Sequence, residues 1–383
     1  MIIRDYWLRK MRVLWQKRSI VWLSGVRRVG KTVLCRQVDD ARLYNCDLPS
    51  IQRQLSDPEF FLSQQNPNEI IALDEIHRLE NPSLLLKIAA DVFPNLKLLA
   101  TGSSTLEATK KFRDTLTGRK YSIQLFPVLW RECLDNFNVN DFDFRLLRGG
   151  FPERLLYEEV ERSFFEEWID SFYSRDVSEL FGVRNRTGFL TLLRLLCLRN
   201  GGQLDISDLA KKAGVSRPTV MSYLDALEIA NAIFRIPPFF GGGHREIIRR
   251  PRVYAFDTGL VAHVSGWESI RDTDRGHLWE NLVLDELRSE FSPQYLHYWR
   301  DKSQREIDFV IDNKNNMVDA IEAKINPDAF DASALKVFRG HYPKGRNLIV
   351  CPFVKTPYSI RKKNMTIRVC NTSSIKSWLE AIE

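Results

Sequence analysis

Cysteine is sparse and scattered: there are six in 383 residues, at 35, 46, 133, 197, 351 and 370, and none forms a CxxC pair. That spacing excludes the usual thiolate zinc sites. Isolated thiols in a chain of this size point to a reducing, cytoplasmic setting rather than a disulfide framework. Nowhere do about 18 apolar residues run together, so no membrane span and no membrane partner is expected. The stretch 1–17 mixes Arg, Asp and Trp and lacks the apolar segment of an export signal. Internal repeats and low-complexity tracts are absent. Charge of a single sign is lacking too, with 56 Lys and Arg against 49 Asp and Glu, a net +7. That modest basic excess is compatible with a polyanionic partner without requiring one. At 44% hydrophobic and 27% charged, the chain is neither disordered nor fibrous. Its length predicts two to four domains at roughly 100–200 residues each.

What is present begins with a phosphate-binding pattern. The apolar run 20–24 reads as a buried strand and leads into Gly25-Val26-Arg27-Arg28-Val29-Gly30-Lys31-Thr32, which fits GxxxxGK[ST] at every fixed position, with helical pattern from Val33 onward. The two glycines let backbone N–H groups turn toward phosphate oxygens, and the helix N-terminus adds positive potential. Gly25, Val26, Arg27, Arg28, Val29, Gly30, Lys31, Thr32 and Val33 are therefore the candidate nucleotide contacts. Lys31 is expected at the β- and γ-phosphates and Thr32 on Mg²⁺. A second strand, 70–73, ends in Asp74-Glu75. Asp74 is the candidate second metal ligand, and Glu75 the base that deprotonates the attacking water. A third strand, 96–100, ends in Thr101-Gly102-Ser103-Ser104. Ser103 is the first choice to contact the γ-phosphate or that water, with Ser104 and Thr101 behind it and a plain turn as the alternative. Arg119 is either an arginine finger toward a neighbouring subunit or a solvated surface residue.

These segments resemble the AAA+ core of a prokaryotic ATPase family. The runs Gly149-Gly150-Phe151-Pro152-Glu153 and 251–260 (PRVYAFDTGL) resemble the same family. The resemblance implies an ATP- and Mg²⁺-dependent ATPase that forms ATP-promoted homo-oligomers. It also implies that Gly150 and Pro152 lie near the adenine, an ordinary helix–helix turn being the alternative.

Leu, Phe and charged residues at helical spacing over 154–200 read as a helical lid. A helix over 205–215 stops at Gly214, Ser216 can cap the next, over 217–229, and strands at 233–236 and 253–256 follow: the pattern of a winged helix-turn-helix. Nine Lys and Arg against five Asp and Glu over 199–252 favour DNA. Arg217 and Thr219, with Ser222 and Tyr223, would face bases, and Arg249, Arg250 and Arg252 would face phosphates. A module that only packs is the alternative.

Beyond Gly259 an amphipathic helix over 277–291 carries Glu280, and strands at 295–300, 306–311 and 317–323 bring in Asp308, Glu322 and, directly after, Lys324. Residues two apart on a strand share a face. The set resembles the PD-(D/E)XK nuclease core in its resolvase-like variant. The resemblance implies Mg²⁺ or Mn²⁺ held by Asp308 and Glu322 with help from Glu280, and Lys324 at the attacking hydroxide. A DNA-gripping relic without cleavage is the alternative.

The expected architecture is α/β: an AAA+ P-loop core over 1–145, a helical lid over 146–200, a winged helix-turn-helix over 201–258 and a restriction-endonuclease-like domain over 259–383. The expected function is a Mg²⁺-dependent ATPase that binds duplex or branched DNA and carries a metal-dependent nuclease domain for phosphodiester hydrolysis, in DNA processing, repair or defence; a nucleotide-switched DNA- or protein-binding regulator whose nuclease-like domain is inactive is the alternative.

Overall fold

The computed structural model describes residues 2–67, 69–102, 110–157, 163–178, 181–241, 250–313 and 317–380. The first sheet is built from β1 (Ile20–Ser24), β2 (Ala41–Asn45), β3 (Ile70–Asp74), β4 (Lys97–Thr101) and β5 (Lys120–Gln124). All are parallel, in the order β2-β3-β4-β1-β5. β1 is buried at every residue, as a strand covered on both faces must be, which is why it reads as a continuous apolar run. Helix α1 (Asp5–Trp15) covers one face through Trp7, Leu8, Met11 and Trp15. α2 (Lys31–Arg36) opens directly from the phosphate loop. On the other face α3 (Pro82–Val92) buries Leu85, Leu86 and Ala89 against Trp22, Leu73 and Leu98. The strand order places β4 between β1 and β3, so the end of β4 stands between the phosphate loop and Asp74.

A helical layer follows. α4 (Phe164–Ser171) runs into a π-helical stretch, Phe172–Ser178, and then α5 (Arg186–Leu198), α6 (Ile206–Ala213) and α7 (Arg217–Ile229) pack together. Asp205 caps α6, Gly214 ends it at φ 65°, and the Ser216 hydroxyl accepts the Thr219 N–H to start α7. A two-stranded antiparallel ribbon completes this part: β6 (Ile233–Ile236) and β7 (Arg252–Ala255). α8 (Thr258–Val264), capped by Asp257, leads onward.

The last part is a mixed six-stranded sheet, ordered β12-β13-β11-β10-β9-β8. Its strands are β8 (Leu296–Arg300), β9 (Glu306–Asn313), β10 (Met317–Ala323), β11 (Asn347–Val350), β12 (Tyr358–Lys362) and β13 (Met365–Cys370). α9 (Asp272–Glu290) lies on one face and α10 (Ser333–His341) on the other. α9 begins five residues before the expected 277, and the hairpin strand β12 is an addition to the expected order. One apolar cluster runs from Trp7 through Phe151, Trp168, Phe256 and Trp279 to Ile375, so the three parts share a core. Among the described residues all six cysteines are buried and unpaired, and no helix is long and apolar enough to cross a membrane.

Candidate functional site

The end of β1 turns into the phosphate loop through Gly25, at φ 144°, where a Cβ would stand 2.5 Å from the Leu125 carbonyl oxygen. Only glycine fits there. Lys31 curls back over the loop, its Nζ 2.9 Å from the Gly25 oxygen and 3.1 Å from that of Val26. Burial pushes its pKa down, while Glu75 and Asp176 oppose that shift. The Thr32 hydroxyl donates to Asp74 Oδ2 at 2.7 Å. Thr101 donates to Asp74 Oδ1 at 2.5 Å and accepts the Glu75 N–H at 3.0 Å. One buried hydroxyl thus ties the metal-ligand candidate to the candidate base. Glu75 is held at φ 55°, ψ 43°, a left-handed conformation unusual for a carboxylate residue. Its carboxylate meets His77 Nδ1 at 3.2 Å, and that contact leads in holding its pKa below the usual range.

The loop is braced from outside. The Trp168 indole donates to the Arg27 carbonyl at 3.2 Å, Arg27 Nε meets Asp176 at 3.2 Å, and Arg4 Nη1 donates to the Val29 carbonyl at 3.2 Å. Arg28 lies 3.7 Å from Glu167. Val29 is fully buried and, unlike the other loop residues, does not line the cavity. Val33 is exposed at the cavity mouth. The cavity measures about 340 Å³ and is also lined by Glu153, Phe172, Arg175 and Asp176. The last three sit on the π-helical stretch, an irregularity that recurs at functional sites. Sequence reasoning missed them because nothing local links them to a loop more than 140 residues away.

Pro152 reaches the loop, its ring 3.6 Å from where a Cβ on Gly30 would project. Gly150 does not: it is absent from the cavity lining, and its N–H donates to buried Asp257 at 2.7 Å. Pro152 does not line the cavity either; in this turn its neighbour Glu153 does. Ser103 lies outside the described residues, and Thr101, the fallback, is the hydroxyl that touches Asp74. Arg119 pairs with Asp91 at 2.6 Å just before β5, whose first residue is level with the first of β1. It is at the sheet edge opposite its own phosphate loop.

Residues 17–134 match the family described as "AAA domain". This part of the chain is similar to a P-loop ATPase domain. Residues 139–271 and 275–371 match two further families, each described as a domain of unknown function (DUF8612 and DUF4143). An uncharacterised protein of Mycobacterium tuberculosis is 28% identical over 321 residues, 81% of this chain and 71% of that one. One of Methanocaldococcus jannaschii is 26% identical over 334 residues, 76% of this chain and 72% of that one. Among solved structures, a Walker-type ATPase of Pyrococcus abyssi superposes with a TM-score of 0.44 at 18% identity, covering 69% of this chain and 96% of that one.

Outside the ATPase domain, Arg217 and Ser222 are exposed on α7, and Arg250 is exposed while pairing with Asp205 at 2.9 Å. The Thr219 hydroxyl is engaged with Ser216 at 2.7 Å. Tyr223 points inward onto Phe189, against expectation, because its position falls on the apolar stripe of α7. Arg249 lies outside the described residues. Arg252 is the clear correction. Its side chain is only 6% exposed, with Nη1 2.9 Å from Glu280 and Nη2 on Glu306, so it faces the C-terminal sheet and no phosphate of DNA.

The C-terminal cleft, about 450 Å³, lies between the Gly201–Gln203 turn with Arg252 on one side and α9, β9 and β10 on the other. Lys324 Nζ sits 2.6 Å from Asp308 and 2.8 Å from Glu322. Burial and the Asp308 charge raise the Glu322 pKa well above normal, and Glu322 shares a hydrogen bond with Asp308. Burial also opposes charge on Asp308, but Lys324 outweighs it and holds that carboxyl ionised. Burial and Asp308 push Glu280 up to about 7. Glu280 accepts from Arg252 and from the Tyr254 hydroxyl. Among the described residues no three carboxylate, imidazole or thiol groups converge to hold one cation. Two internal cations divide the three expected ligands in this arrangement: Lys324 pairs with Asp308 and Glu322, and Arg252 with Glu280.

Proposed function

We propose that the chain hydrolyses ATP in the phosphate-loop cavity and uses the nucleotide state to control contacts with duplex DNA. The observation that carries this reading is the hydrogen-bonded link Thr32–Asp74–Thr101–Glu75 beside Lys31. In it, loop N–H groups and Lys31 hold the β- and γ-phosphates. Thr32 and Asp74 are an oxygen pair suited to Mg²⁺, which supplies charge neutralisation at the phosphates when bound. Glu75 accepts the proton of a water whose oxygen bonds to the γ-phosphorus as the bond to the leaving ADP oxygen breaks. Thr101 and His77 fix the Glu75 backbone and carboxylate, and Glu153 stands toward the base. Arg119, remote from its own cavity, would serve the site of a neighbouring copy in an ATP-promoted homo-oligomer.

DNA binding in this reading uses exposed Arg217 and Arg250. In the cleft Asp308 and Glu322 share Lys324 and Glu280 is held by Arg252, and this reading assigns no phosphodiester cleavage to them. That favours a nucleotide-switched regulator over a nuclease as the role of the C-terminal part. Lys31→Ala tests the nucleotide site: a fluorescent ATP analogue should bind at least about tenfold more weakly once a direct phosphate charge is gone. Unchanged affinity would remove the site assignment.

A further inference from the structure

A buried, contiguous column joins the phosphate loop to the C-terminal cleft. At the top, the Trp168 indole donates to the Arg27 carbonyl of the loop at 3.2 Å. Trp168 packs on Phe256 with ring centroids 4.7 Å apart. Phe256 follows β7, and its N–H is held by the Ala232 carbonyl at 3.1 Å, two residues beyond Ala230 of the cavity lining. Next in the chain, buried Asp257 accepts the Gly150 N–H at 2.7 Å, fixing the turn that presents Glu153 to the cavity. At the other end of β7, Tyr254 and Arg252 both engage Glu280, and Arg252 also engages Glu306. Trp168, Phe256, Tyr254 and Arg252 are all 5% exposed or less.

A strand buried at every residue moves as a unit, because close-packed interiors transmit displacement instead of absorbing it. Arg252 is a long cation held across the boundary between ribbon and C-terminal sheet by two carboxylates. A shift of β7 along its axis would withdraw it from one or both, leaving the largely buried Glu280 without its cation while Glu306 keeps Arg300 at 2.8 Å, and such a pair has discrete made and broken states.

We infer that β7 is a connecting rod by which occupancy of the phosphate loop sets the state of the carboxylate cleft, with Trp168 as the input contact and Arg252 as the latch. This rests on the nucleotide reading given above. With the latch closed, Arg252 ties the ribbon to α9 through Glu280 and to β9 through Glu306; with it open, Glu280 loses its guanidinium partner, Glu306 keeps only Arg300, and the cleft is accessible.

Hydrogen exchange of the full chain, with and without a non-hydrolysable ATP analogue and Mg²⁺, tests this. Protection of the 25–33 peptide reports nucleotide binding by itself. The expected result is that the analogue also changes exchange in peptides over 250–256 and 296–308 by about tenfold. Arg252→Gln should bring those peptides to the open rate without nucleotide and abolish their response, leaving protection at 25–33 in place. Glu306→Gln, which keeps the guanidinium and removes one anchor, should do the same in part, and serves if Arg252→Gln fails to fold. Protection at 25–33 with no response at 250–256 and 296–308 would overturn the rod while leaving the nucleotide site intact. No protection at 25–33 would overturn both.

Discussion

The hydroxyl of Thr101 shows how much chemistry rests on one atom. It is fully buried at the end of β4, donates to Asp74 and accepts the Glu75 N–H. Replacement by valine keeps the shape but leaves a buried carboxylate oxygen and a backbone N–H without this partner, a cost of about 1–3 kcal/mol. Thr101→Val should lower thermal stability and reduce kcat for ATP at least about tenfold, with KM changed by less than about threefold, because Lys31 and the loop amides still hold the phosphates. Steady-state kinetics on the variant checks this; a raised KM with unchanged kcat would place Thr101 in binding instead. At this scale the phosphate loop was legible in the sequence because its residues are contiguous and each does its work through local backbone geometry. Arg252 was not. Beside a glycine-rich turn it reads as a solvent-facing arginine, and only long-range partners, Glu280 at 28 residues and Glu306 at 54, turn it inward. Glu306 itself carries no motif and went unnoticed for the same reason.

Among the elements, the 149–153 turn and α1 each make a claim that can be measured. Gly149 has φ +80°, and a Cβ there would lie 2.1 Å from Asp257 Oδ1. Gly149→Ala therefore adds both left-handed strain and a clash with a buried carboxylate, and should cost about 2–4 kcal/mol in chemical denaturation. ATP-analogue affinity should fall with it, since the turn also carries Pro152 and Glu153. On α1, Lys10 lies against α9, and burial lowers its pKa from 10.5 to about 8. The folded state thus sheds this proton earlier than the unfolded chain, so between about pH 8 and 10.5 the unfolded chain binds more protons and stability rises with pH. The difference in midpoint between Lys10→Met and the parent should accordingly favour the variant most below pH 8 and shrink as pH climbs toward 10.5. Thermal melts at three pH values would show it; a difference constant with pH would contradict it. Helices α6 and α7 were readable from Asp205, Gly214 and Ser216, whose caps are local signals. β12 was not, because YSIRK is an exposed edge strand without alternation strong enough to separate it from a loop.

For the whole molecule, the sequence pattern indicated a parallel sheet carrying a phosphate loop and a later α/β sheet carrying carboxylates, since both depend on runs of buried strand. It could not indicate how the parts meet. The π-helical stretch that supplies Phe172, Arg175 and Asp176 to the cavity, and the Trp168–Phe256 contact beside it, arise from packing between segments up to about 150 residues apart in the chain, which no local pattern encodes. The proposed DNA binding is tested at this scale as well. Affinity for duplex DNA should fall steeply with salt, and Arg217→Ala with Arg250→Ala should flatten the log–log slope by about 2, one released counterion per lost phosphate contact. An unchanged slope would move the contact surface away from α7.

The most direct test of the central claim is a paired measurement on Glu75→Gln: equilibrium binding of ATP with Mg²⁺, and single-turnover hydrolysis. The amide keeps the size and the backbone contact with Thr101 but cannot take a proton. The account predicts ATP affinity within about threefold of the parent, with hydrolysis slowed at least about a hundredfold. Hydrolysis at the parental rate would contradict it.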